Sequence, residues 1–230
     1  MEFYGLQKLT LLDFPQKTAC TVFCGGCNFR CPFCHNALLV TEPKSVPTYS
    51  EADIVSFLKG RIGLLDGVCI TGGEPLLYKD VVNFIAQVKQ MGFLVKLDTN
   101  GSFPDRLAEL LDAGLLDYVA MDIKNCKEKY PATVGVPEFD IRPIEKSISV
   151  LMHGNTDFEF RTTVVKEFHT TEDIKKIEEL ISGAPRYFLQ HFVDSGNLIG
   201  QNLHPVSPSE MAYMRDVAAS FVKNAQIRGL

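Results

Sequence analysis

Four cysteines lie close together near the start of this 230-residue chain, and the spacing of three of them is suited to binding a metal centre. Cys27, Cys31 and Cys34 are separated by three and two residues, so one short loop would present three thiolates to one inorganic group. An iron–sulfur cube normally takes one thiolate for each iron, four in all. A centre with three protein ligands keeps one position open, which is typical of metal sites that do chemistry. The spacing therefore predicts a catalytic cluster.

Other interpretations of these cysteines remain open. A zinc site with Cys24 as the fourth ligand is disfavoured, because zinc-binding pairs are usually separated by about a dozen residues or more. A ferredoxin-type carrier also has a cysteine followed by proline, as in Cys31-Pro32, but this chain lacks the tight trio that precedes it. A disulfide framework is disfavoured by the odd count of seven cysteines in a long chain. We expect reduced thiols, with Cys24 beside the cluster and not bound to it.

The elements that position this loop are predicted by alternation of short apolar runs with amphipathic stretches of helical length. The predicted strands are Thr18 to Cys24, Val68 to Thr71, Phe93 to Asp98, Tyr118 to Ile123, Asp157 to Val165 and Arg186 to Val193. The predicted helices are Ser50–Leu58, Lys79–Met91, Pro104–Ala113, Pro143–His153, Thr171–Ile181 and Pro208–Ala225, with Ser50, Thr171 and Ser207 as starts. Strands that are apolar almost throughout indicate a parallel sheet covered by helices.

Six strand–helix units predict an α/β fold of the partial (β/α)6 TIM-like barrel type, open on one side, because about eight units are needed to close a barrel. Ligands of such sheets bind beyond the carboxyl ends of the strands. Residues that follow each strand are therefore the candidates for the site. The apolar content of 46% can bury one substantial core, so we expect residues 1–230 to form a single domain.

The second predicted strand ends in Gly72-Gly73-Glu74-Pro75, where the glycines would let a ligand approach backbone N–H and C=O groups. Glu74 would face a cationic amine, although an ordinary strand-to-helix turn has the same composition. The next two strands end at Asp98-Thr99 and at Asp122. Two carboxylates at neighbouring strand ends would repel each other unless a cation lay between them. The alternative is that they cap turns or pair with Lys124.

The last two predicted strands carry Arg161 and His191. An arginine fork suits a carboxylate, and a histidine at a strand end can donate to a ribose hydroxyl, but both residue types are also common in half-buried sheets. Of the remaining cysteines, Cys20 and Cys69 lie in strand runs and would be buried, whereas we expect Cys126 to be exposed.

The Cys-x3-Cys-x2-Cys motif, with Phe33 before its last cysteine, resembles the signature of the radical S-adenosylmethionine (SAM) enzymes. The resemblance implies a [4Fe-4S] cluster whose open iron binds SAM, and reductive cleavage of SAM to methionine and a 5′-deoxyadenosyl radical. Gly72-Gly73-Glu74-Pro75 is similar to the motif that this family uses for the amino group of SAM. The resemblance also implies SAM contacts for Phe33, His35, Lys124, Arg161 and His191. Among these, it implies that Arg161 reaches the SAM carboxylate and that His191 lies near the ribose.

Asp98-Thr99-Asn100-Gly101 and Asp122-Ile123-Lys124 resemble segments of the pyruvate formate-lyase activating enzyme. That resemblance implies a monovalent cation bound by Asp98, Thr99 and Asp122. The whole chain, including the segment Gly5 to Pro15, is similar to the longer activating proteins of anaerobic ribonucleoside-triphosphate reductase. The likeness implies abstraction of a backbone glycine hydrogen from a partner glycyl-radical enzyme, with electrons from a flavodoxin- or ferredoxin-type donor. Asp13-Phe14-Pro15-Gln16 departs from the Asp-Gly-Pro-Gly of such activators, which leaves the role of Asp13 open.

Composition and charge disfavour a nucleic-acid-binding, membrane or secreted protein. A net charge of −5 gives no electrostatic reason to expect a nucleic-acid partner, and no apolar run approaches the ~20 residues that span a bilayer. The N-terminus lacks a secretory pattern, so we expect a cytoplasmic protein with no membrane partner. Two alternatives to the activase are kept: a minimal radical SAM enzyme on a small substrate, similar to 7-carboxy-7-deazaguanine synthase, and a non-enzymatic iron–sulfur or zinc protein.

Overall fold

The computed structural model describes residues 1–230 and divides them into two compact units. The first unit is Met1–Asn28, Asn36–Thr99 and Asp105–Val119, and the second is Phe29–His35, Asn100–Pro104 and Ala120–Leu230. Both units are therefore built from separate stretches of chain. The expectation of a single domain stays a prediction.

Strands and helices alternate along most of the chain, as the apolar pattern indicates. The strands are β1 Glu2–Phe3, β2 Gly5–Thr10, β3 Ala19–Cys24, β4 Tyr49–Ser50, β5 Gly67–Gly72, β6 Leu94–Thr99, β7 Tyr118–Asp122, β8 Asp157–Val164, β9 Tyr187–His191 and β10 Ala225–Arg228. The α-helices are α1 Ala37–Thr41, α2 Glu51–Lys59, α3 Val81–Gln90, α4 Pro104–Asp112, α5 Tyr130–Thr133, α6 Arg142–His153, α7 Thr171–Lys176, α8 Glu178–Ile181 and α9 Pro208–Ala218. Short 3-10 helices cover Pro43–Ser45, Pro75–Leu77 and Lys127–Lys129. No helix combines the length and apolar character needed to cross a bilayer.

In the first unit, β3, β5 and β6 are parallel neighbours, and β2 pairs antiparallel with β3 at the edge of the sheet. The β3–β5 register pairs Cys24 with Gly72, so the cysteine segment and the glycine turn leave the sheet at the same level. Side chains such as Val22, Ile70 and Leu97 are fully buried. This burial on the inner strands is why they read as apolar runs in the sequence.

In the second unit, β8 pairs parallel with β9, and β9 pairs parallel with β10 at the other sheet edge. Arg228 of β10 makes two bonds to the buried Glu159 carboxylate, Nη1 to Oε1 at 2.6 Å and Nη2 to Oε2 at 2.9 Å. Its guanidinium carbon also lies 3.4 Å from the ring centroid of Phe188. This forked ion pair joins the first residues of β8 to the end of β10.

The structure confirms an α/β fold with an open, mostly parallel sheet. Ser50 and Ser207 cap helices as predicted, each accepting a bond from a backbone N–H three residues later. The helix predicted from Thr171 does begin at Thr171, but its capping residue is Thr170, whose side chain accepts from Asp173 N. The helix predicted over Pro208–Ala225 ends at Ala218, and the chain forms strand β10 from Ala225 onward.

The expected burial of Cys20 and Cys69 is confirmed, whereas the expected exposure of Cys126 is wrong. Cys126 is 1% exposed, and its thiol lies 3.7 Å from Asp173 Oδ1. The expectation of exposure came from its position shortly after Lys124. The loop instead packs against the start of α7, and no local sequence pattern indicates this contact.

Candidate functional site

The cysteine segment begins where β3 ends, and its first part belongs to the first unit. Gly26 has a positive φ of 71°, which favours glycine, and its N–H donates to the carbonyl of Leu39 at 2.7 Å. Gly25 also has no room for a side chain, because a Cβ there would lie 2.6 Å from the ring of Tyr4. Cys27 follows directly and is partly exposed. The two glycines therefore fix the backbone that presents the Cys27 thiol.

Cys31 and Cys34 lie in the second unit and share one tight turn, in which Cys34 N donates to Cys31 O at 3.1 Å. Cys31 is buried, and Cys34 is partly exposed. The turn is held from outside by a bond from Gly200 N to Pro32 O at 2.7 Å. The expectation that one short loop presents the thiols of Cys27, Cys31 and Cys34 to a single centre stays a prediction.

Cys24, the last residue of β3, is fully buried. Burial, with the nearby Glu74 charge, raises the pKa of the Cys24 thiol to about 12. A thiol must lose its proton to bind a metal, so this environment disfavours a ligand role. That Cys24 is a neighbour of the cluster and not a ligand stays a prediction.

The Gly72-Gly73-Glu74-Pro75 turn packs directly on the backbone of the cysteine segment within the first unit. Gly72 has a φ of 117°, and a Cβ there would lie 2.2 Å from Cys24 O. A Cβ on Gly73 would lie 1.8 Å from Gly26 O. Glycine is needed at both positions because the two backbones touch, and this contact explains the glycine pair better than the approach of a ligand alone does.

Backbone donors of this turn are used inside the protein. Gly73 N donates to Cys24 O at 2.8 Å, and Glu74 N donates to Gly26 O at 2.9 Å. A ligand would therefore meet carbonyl oxygens and not these N–H groups. Gly72 O accepts one bond, from Asn36 Nδ2 at 2.7 Å, and a carbonyl oxygen has a second lone pair. An amine is the kind of group that this edge of the turn suits.

The Glu74 carboxylate is fully buried and supports the turn itself. Its Oε1 accepts from Leu76 N at 3.0 Å and from Thr99 Oγ1 at 2.8 Å. The first bond caps the short 3-10 helix that begins at the buried Pro75. These bonds assign Glu74 and Thr99 a role in joining the ends of β5 and β6. A direct contact from Glu74 to an amine stays a prediction.

Both carboxylates of the expected cation site are paired with cations of the protein. Asp98 Oδ1 accepts from Lys96 Nζ, and Asp98 Oδ2 lies 3.4 Å from the Thr71 hydroxyl. Lys96 is 2% exposed, so its charge needs this partner. These ion pairs weaken the repulsion argument for a bound cation, and a cation site at Asp98, Thr99 and Asp122 stays a prediction.

Asp122, Lys124 and Arg161 form an ionic cluster in the second unit. Asp122 accepts from Lys124 Nζ at 2.8 Å and from Arg161 Nε at 3.0 Å. Burial favours the neutral acid, but the two cations outweigh it and lower the pKa of Asp122 to about 2. Burial likewise opposes the charge of Lys124, yet Asp122 and the nearby Cys31 raise the pKa of Lys124 above its ordinary value. The cluster is thus fully charged at neutral pH, and it has a net positive charge.

The three remaining predicted residues lie in the second unit in different settings. Phe33 is buried, with its ring centroid 5.6 Å from that of Phe168 and 6.0 Å from that of His169. His35 stacks on Phe192 at 5.8 Å and donates from Nε2 to Val193 O at 2.8 Å.

His191 is half-buried at the end of β9 and donates from Nε2 to Val206 O at 3.1 Å. In both His35 and His191, Nε2 is therefore protonated and holds a loop carbonyl. Their rings are fixed by these bonds, while contact with a cofactor stays a prediction.

Three residues with clear roles were missed as site candidates. Asn36 orients the Gly72 carbonyl, and Lys96 neutralises Asp98. A lysine inside an otherwise apolar strand was the available signal for Lys96. His169 donates from Nε2 to Lys124 O at 2.8 Å and accepts at Nδ1 from Val165 N at 3.1 Å, and burial lowers its pKa. Nothing in the local sequence of His169 distinguishes it from an ordinary loop histidine.

Comparison with known proteins gives a family match and full-length relatives. The family model described as "Radical SAM superfamily" matches residues 21–181. A protein of Methanocaldococcus jannaschii, provisionally named a glycyl-radical enzyme activating enzyme, is 34% identical over 97% of this chain and 94% of its own length. A second protein of that organism with the same provisional name is 25% identical over 94% of this chain and 79% of its own length.

A 7-carboxy-7-deazaguanine synthase of Thermoplasma acidophilum is 30% identical over 62% of this chain and 64% of its own length. Solved structures are similar in fold at low sequence identity. SuiB of Streptococcus suis bound to its precursor peptide SuiA has a TM-score of 0.66 at 15% identity, with 91% of this chain and 48% of that chain covered. Native anSMEcpe with bound AdoMet has a TM-score of 0.62 at 16% identity, with 89% and 62% covered.

Proposed function

Because this chain belongs to the radical SAM superfamily, we propose that it is an activating enzyme that abstracts a backbone hydrogen from a glycine of a partner glycyl-radical enzyme. The observation that carries this proposal is the 34% identity to a provisionally named activating enzyme over nearly the whole length of both chains. A relative that matches from end to end supports the same overall task better than a relative that matches only the core does.

The family implies a [4Fe-4S] cluster and SAM as cofactors, and the residues present fit the cluster. We assign Cys27, Cys31 and Cys34 as its ligands, because three thiols within eight residues are a donor set suited to iron and sulfide. The positively charged Lys124 lies within electrostatic range of Cys31 and favours its thiolate form. The buried hydroxyl of Tyr130, whose proton has no acceptor in the protein, also interacts electrostatically with Cys31. A buried donor without an acceptor fits a site that would hold an inorganic sulfur group.

When bound, the cluster and SAM supply reductive cleavage of SAM and the radical that removes the hydrogen atom. The protein binds and orients the cofactors and the substrate, and it excludes water from them. The Gly72 carbonyl, held by Asn36, offers an acceptor for the SAM amine. Arg161 and Lys124 offer cationic donors for a carboxylate, and Asp122 keeps both side chains oriented.

We propose smaller parts for the other predicted residues. Loop carbonyls hold the rings of His191 and His35, and both residues contact SAM, His191 near its ribose. Phe33 is buried against Phe168 and keeps water from the turn that carries Cys34. Each of these assignments is tested by SAM affinity in the corresponding alanine variant.

We propose anaerobic ribonucleoside-triphosphate reductase as the partner, and a flavodoxin- or ferredoxin-type protein as the electron donor. The reason is the similarity of the N-terminal segment and the cysteine motif to activators of that reductase. Glycine suits such chemistry, because no side chain blocks the hydrogen and the flanking amide groups stabilise the radical.

Electron paramagnetic resonance tests the proposal. The protein is reconstituted anaerobically with iron and sulfide, reduced with dithionite, and measured before and after addition of SAM. We expect a reduced four-iron signal that changes shape with SAM, and a glycine-centred doublet when the candidate reductase is added. A Cys31→Ser variant is the control and should give neither. A signal that responds to SAM, with no doublet on any glycyl-radical partner, would contradict the activase and keep the family assignment.

The 30% identity to a 7-carboxy-7-deazaguanine synthase over 145 residues favours a small-molecule reaction as the second candidate. In that case, SAM cleavage would be stimulated by a small heterocyclic substrate and not by a protein. The same anaerobic assay, with product analysis by mass spectrometry, separates the two functions.

A further inference from the structure

Tyr130 carries a buried hydroxyl whose proton has no hydrogen-bond acceptor in the protein. Its side chain is fully buried at the start of α5, and the backbone of Lys124 interacts with the oxygen atom but cannot accept its proton through N–H. Leaving such a group unpaired costs about 1–3 kcal/mol, and native proteins contain few examples. Replacement by phenylalanine would remove this cost without changing the packed shape. The retained hydroxyl therefore needs an explanation beyond packing.

The ring of Tyr130 is held in place through the segment that carries Cys31. Tyr130 stacks on Phe139 at 5.9 Å, and Phe139 meets Phe29 edge to face at 4.9 Å. The backbone next to Cys31 is bonded to the residue after α5, with Arg30 N donating to Val134 O at 2.8 Å. All of these groups belong to the second unit. The hydroxyl thus has a fixed position relative to the cysteine turn.

The α5 helix is also fixed from its other side. The Thr133 hydroxyl donates to Lys129 O at 2.8 Å and accepts from Asn125 Nδ2 at 2.9 Å, and Thr133 and Asn125 are both fully buried. Such a bonded and buried helix cannot turn to give the Tyr130 hydroxyl another partner at low cost.

The surroundings of the hydroxyl make it a donor toward sulfur. Burial raises the pKa of Tyr130 far above its ordinary value, so the group keeps its proton. Besides burial, the groups that act on it are the Lys124 backbone N–H, the Lys124 ammonium, the Cys31 thiol and the Asp122 carboxylate, and of these only sulfur and carboxylate can accept a proton. Asp122 is already paired with Lys124 and Arg161. Cys31 is the remaining acceptor type in this set, and thiolates accept hydrogen bonds.

We propose that the Tyr130 hydroxyl donates a hydrogen bond to a sulfur atom of the iron–sulfur group held by Cys31, and that this bond makes the group easier to reduce. Reduction adds negative charge to the sulfur atoms, and a donor aimed at them stabilises that charge. Hydrogen bonds to sulfur are among the factors that set cluster potentials. Tyr130 is therefore a positioning and tuning residue. The inference rests on the assignment of Cys31 as a ligand and is independent of the partner enzyme.

A redox titration of Tyr130→Phe tests the inference, with Tyr187→Phe as the matched control. Tyr187 is also fully buried in the second unit, but its hydroxyl donates to Thr162 Oγ1 at 2.7 Å. The reconstituted proteins are titrated with dithionite and monitored by electron paramagnetic resonance. We expect Tyr130→Phe to lower the equilibrium constant for reduction roughly threefold, or about 28 mV for one electron. Tyr187→Phe should match the wild type.

Iron content and vibrational spectra complete the test. Cys31→Ser should lose iron; retention of full iron would refute the ligand assignment separately from the role of Tyr130. Resonance Raman bands of the iron–sulfur group should shift in D2O in the wild type, and less in Tyr130→Phe. Equal potentials and equal D2O shifts in both proteins would overturn the proposal.

If Tyr130→Phe fails to fold, 3-fluorotyrosine at position 130 keeps the ring and gives a more acidic donor. It should then move the potential in the positive direction. An unchanged potential in that protein would also refute the role of Tyr130.

Discussion

Replacing Gly73 with alanine tests whether the glycine turn and the cysteine segment must touch. A Cβ at this position would lie 1.8 Å from Gly26 O, about 1.6 Å short of the 3.4 Å at which ordinary contact begins. The obstructing atom belongs to backbone, and Gly26 N is itself bonded to Leu39 O. The turn cannot adapt by rotating a side chain. We therefore expect Gly73→Ala to push the two backbones apart.

The cost follows from the contacts that would be lost. Overpacking of this kind costs about 1–3 kcal/mol, and loss of the bond from Glu74 N to Gly26 O at 2.9 Å adds about 1 kcal/mol. The free energy of unfolding should fall by about 2–4 kcal/mol, which corresponds to roughly 10 °C in Tm for a chain of this size. Cys27 follows Gly26, so displacement of Gly26 should also reduce the iron bound after reconstitution.

Thermal unfolding followed by circular dichroism, together with iron analysis, measures both effects. Gly60→Ala is the matched control. Its φ is −75°, and its added Cβ would lie 3.5 Å from Phe57 O, an ordinary contact. We expect the control to unfold within ~2 °C of the wild type. Equal Tm values and equal iron content in the two alanine variants would refute the reasoning.

Three further changes follow from the same structure. Asp122→Asn should lower the free energy of unfolding at pH 7, by about 2 kcal/mol from the depressed pKa alone. A depressed carboxyl pKa stabilises the folded protein fully only above the pKa of the unfolded state. The difference in free energy of unfolding between wild type and Asp122→Asn should therefore narrow as pH falls from about 4 to about 2 in urea titrations; a constant difference would contradict this. Cys24→Ser should retain iron, whereas Cys27→Ser should lose it; equal losses would make Cys24 a ligand. Phe33→Ala should cost about 3 kcal/mol by calorimetry, because its ring is buried, and a loss below about 1 kcal/mol would show that the site collapses around it.

The inner strands were predictable because burial on both faces makes them continuous apolar runs. β3, β5 and β6 all appear in the sequence in this way. β2 and β10 do not appear in the sequence as apolar runs, because an edge strand has only one neighbouring strand and a mixed composition. β2 reads GLQKLT with three exposed residues, and β10 reads AQIR with none fully buried. Their strand state depends on a partner that is distant in the sequence.

The sequence indicated at which strand ends charged residues lie, but it did not indicate the partners of those residues. Glu74, Asp98 and Asp122 lie at or just after the ends of β5, β6 and β7, where parallel strands favour a site; that they form a site stays a prediction. Whether Asp98 faces a bound cation or a lysine depends on Lys96, which lies two residues away in the same strand. Whether Glu74 is exposed depends on its bond to Thr99, twenty-five residues later. Sequence spacing fixes which strand end carries a carboxylate, but tertiary packing decides what that carboxylate contacts.

The forked ion pair between Glu159 and Arg228 has a consequence for biosynthesis. The ribosome releases Glu159 sixty-nine residues before Arg228. Until β10 emerges, the nascent β8 would have to bury a carboxylate without this cation, at a cost of several kcal/mol. Packing around β8 during synthesis is therefore held back until the last strand is available. Chains stalled on the ribosome before Arg228 should therefore be cut by proteases around β8 more readily than full-length chains are.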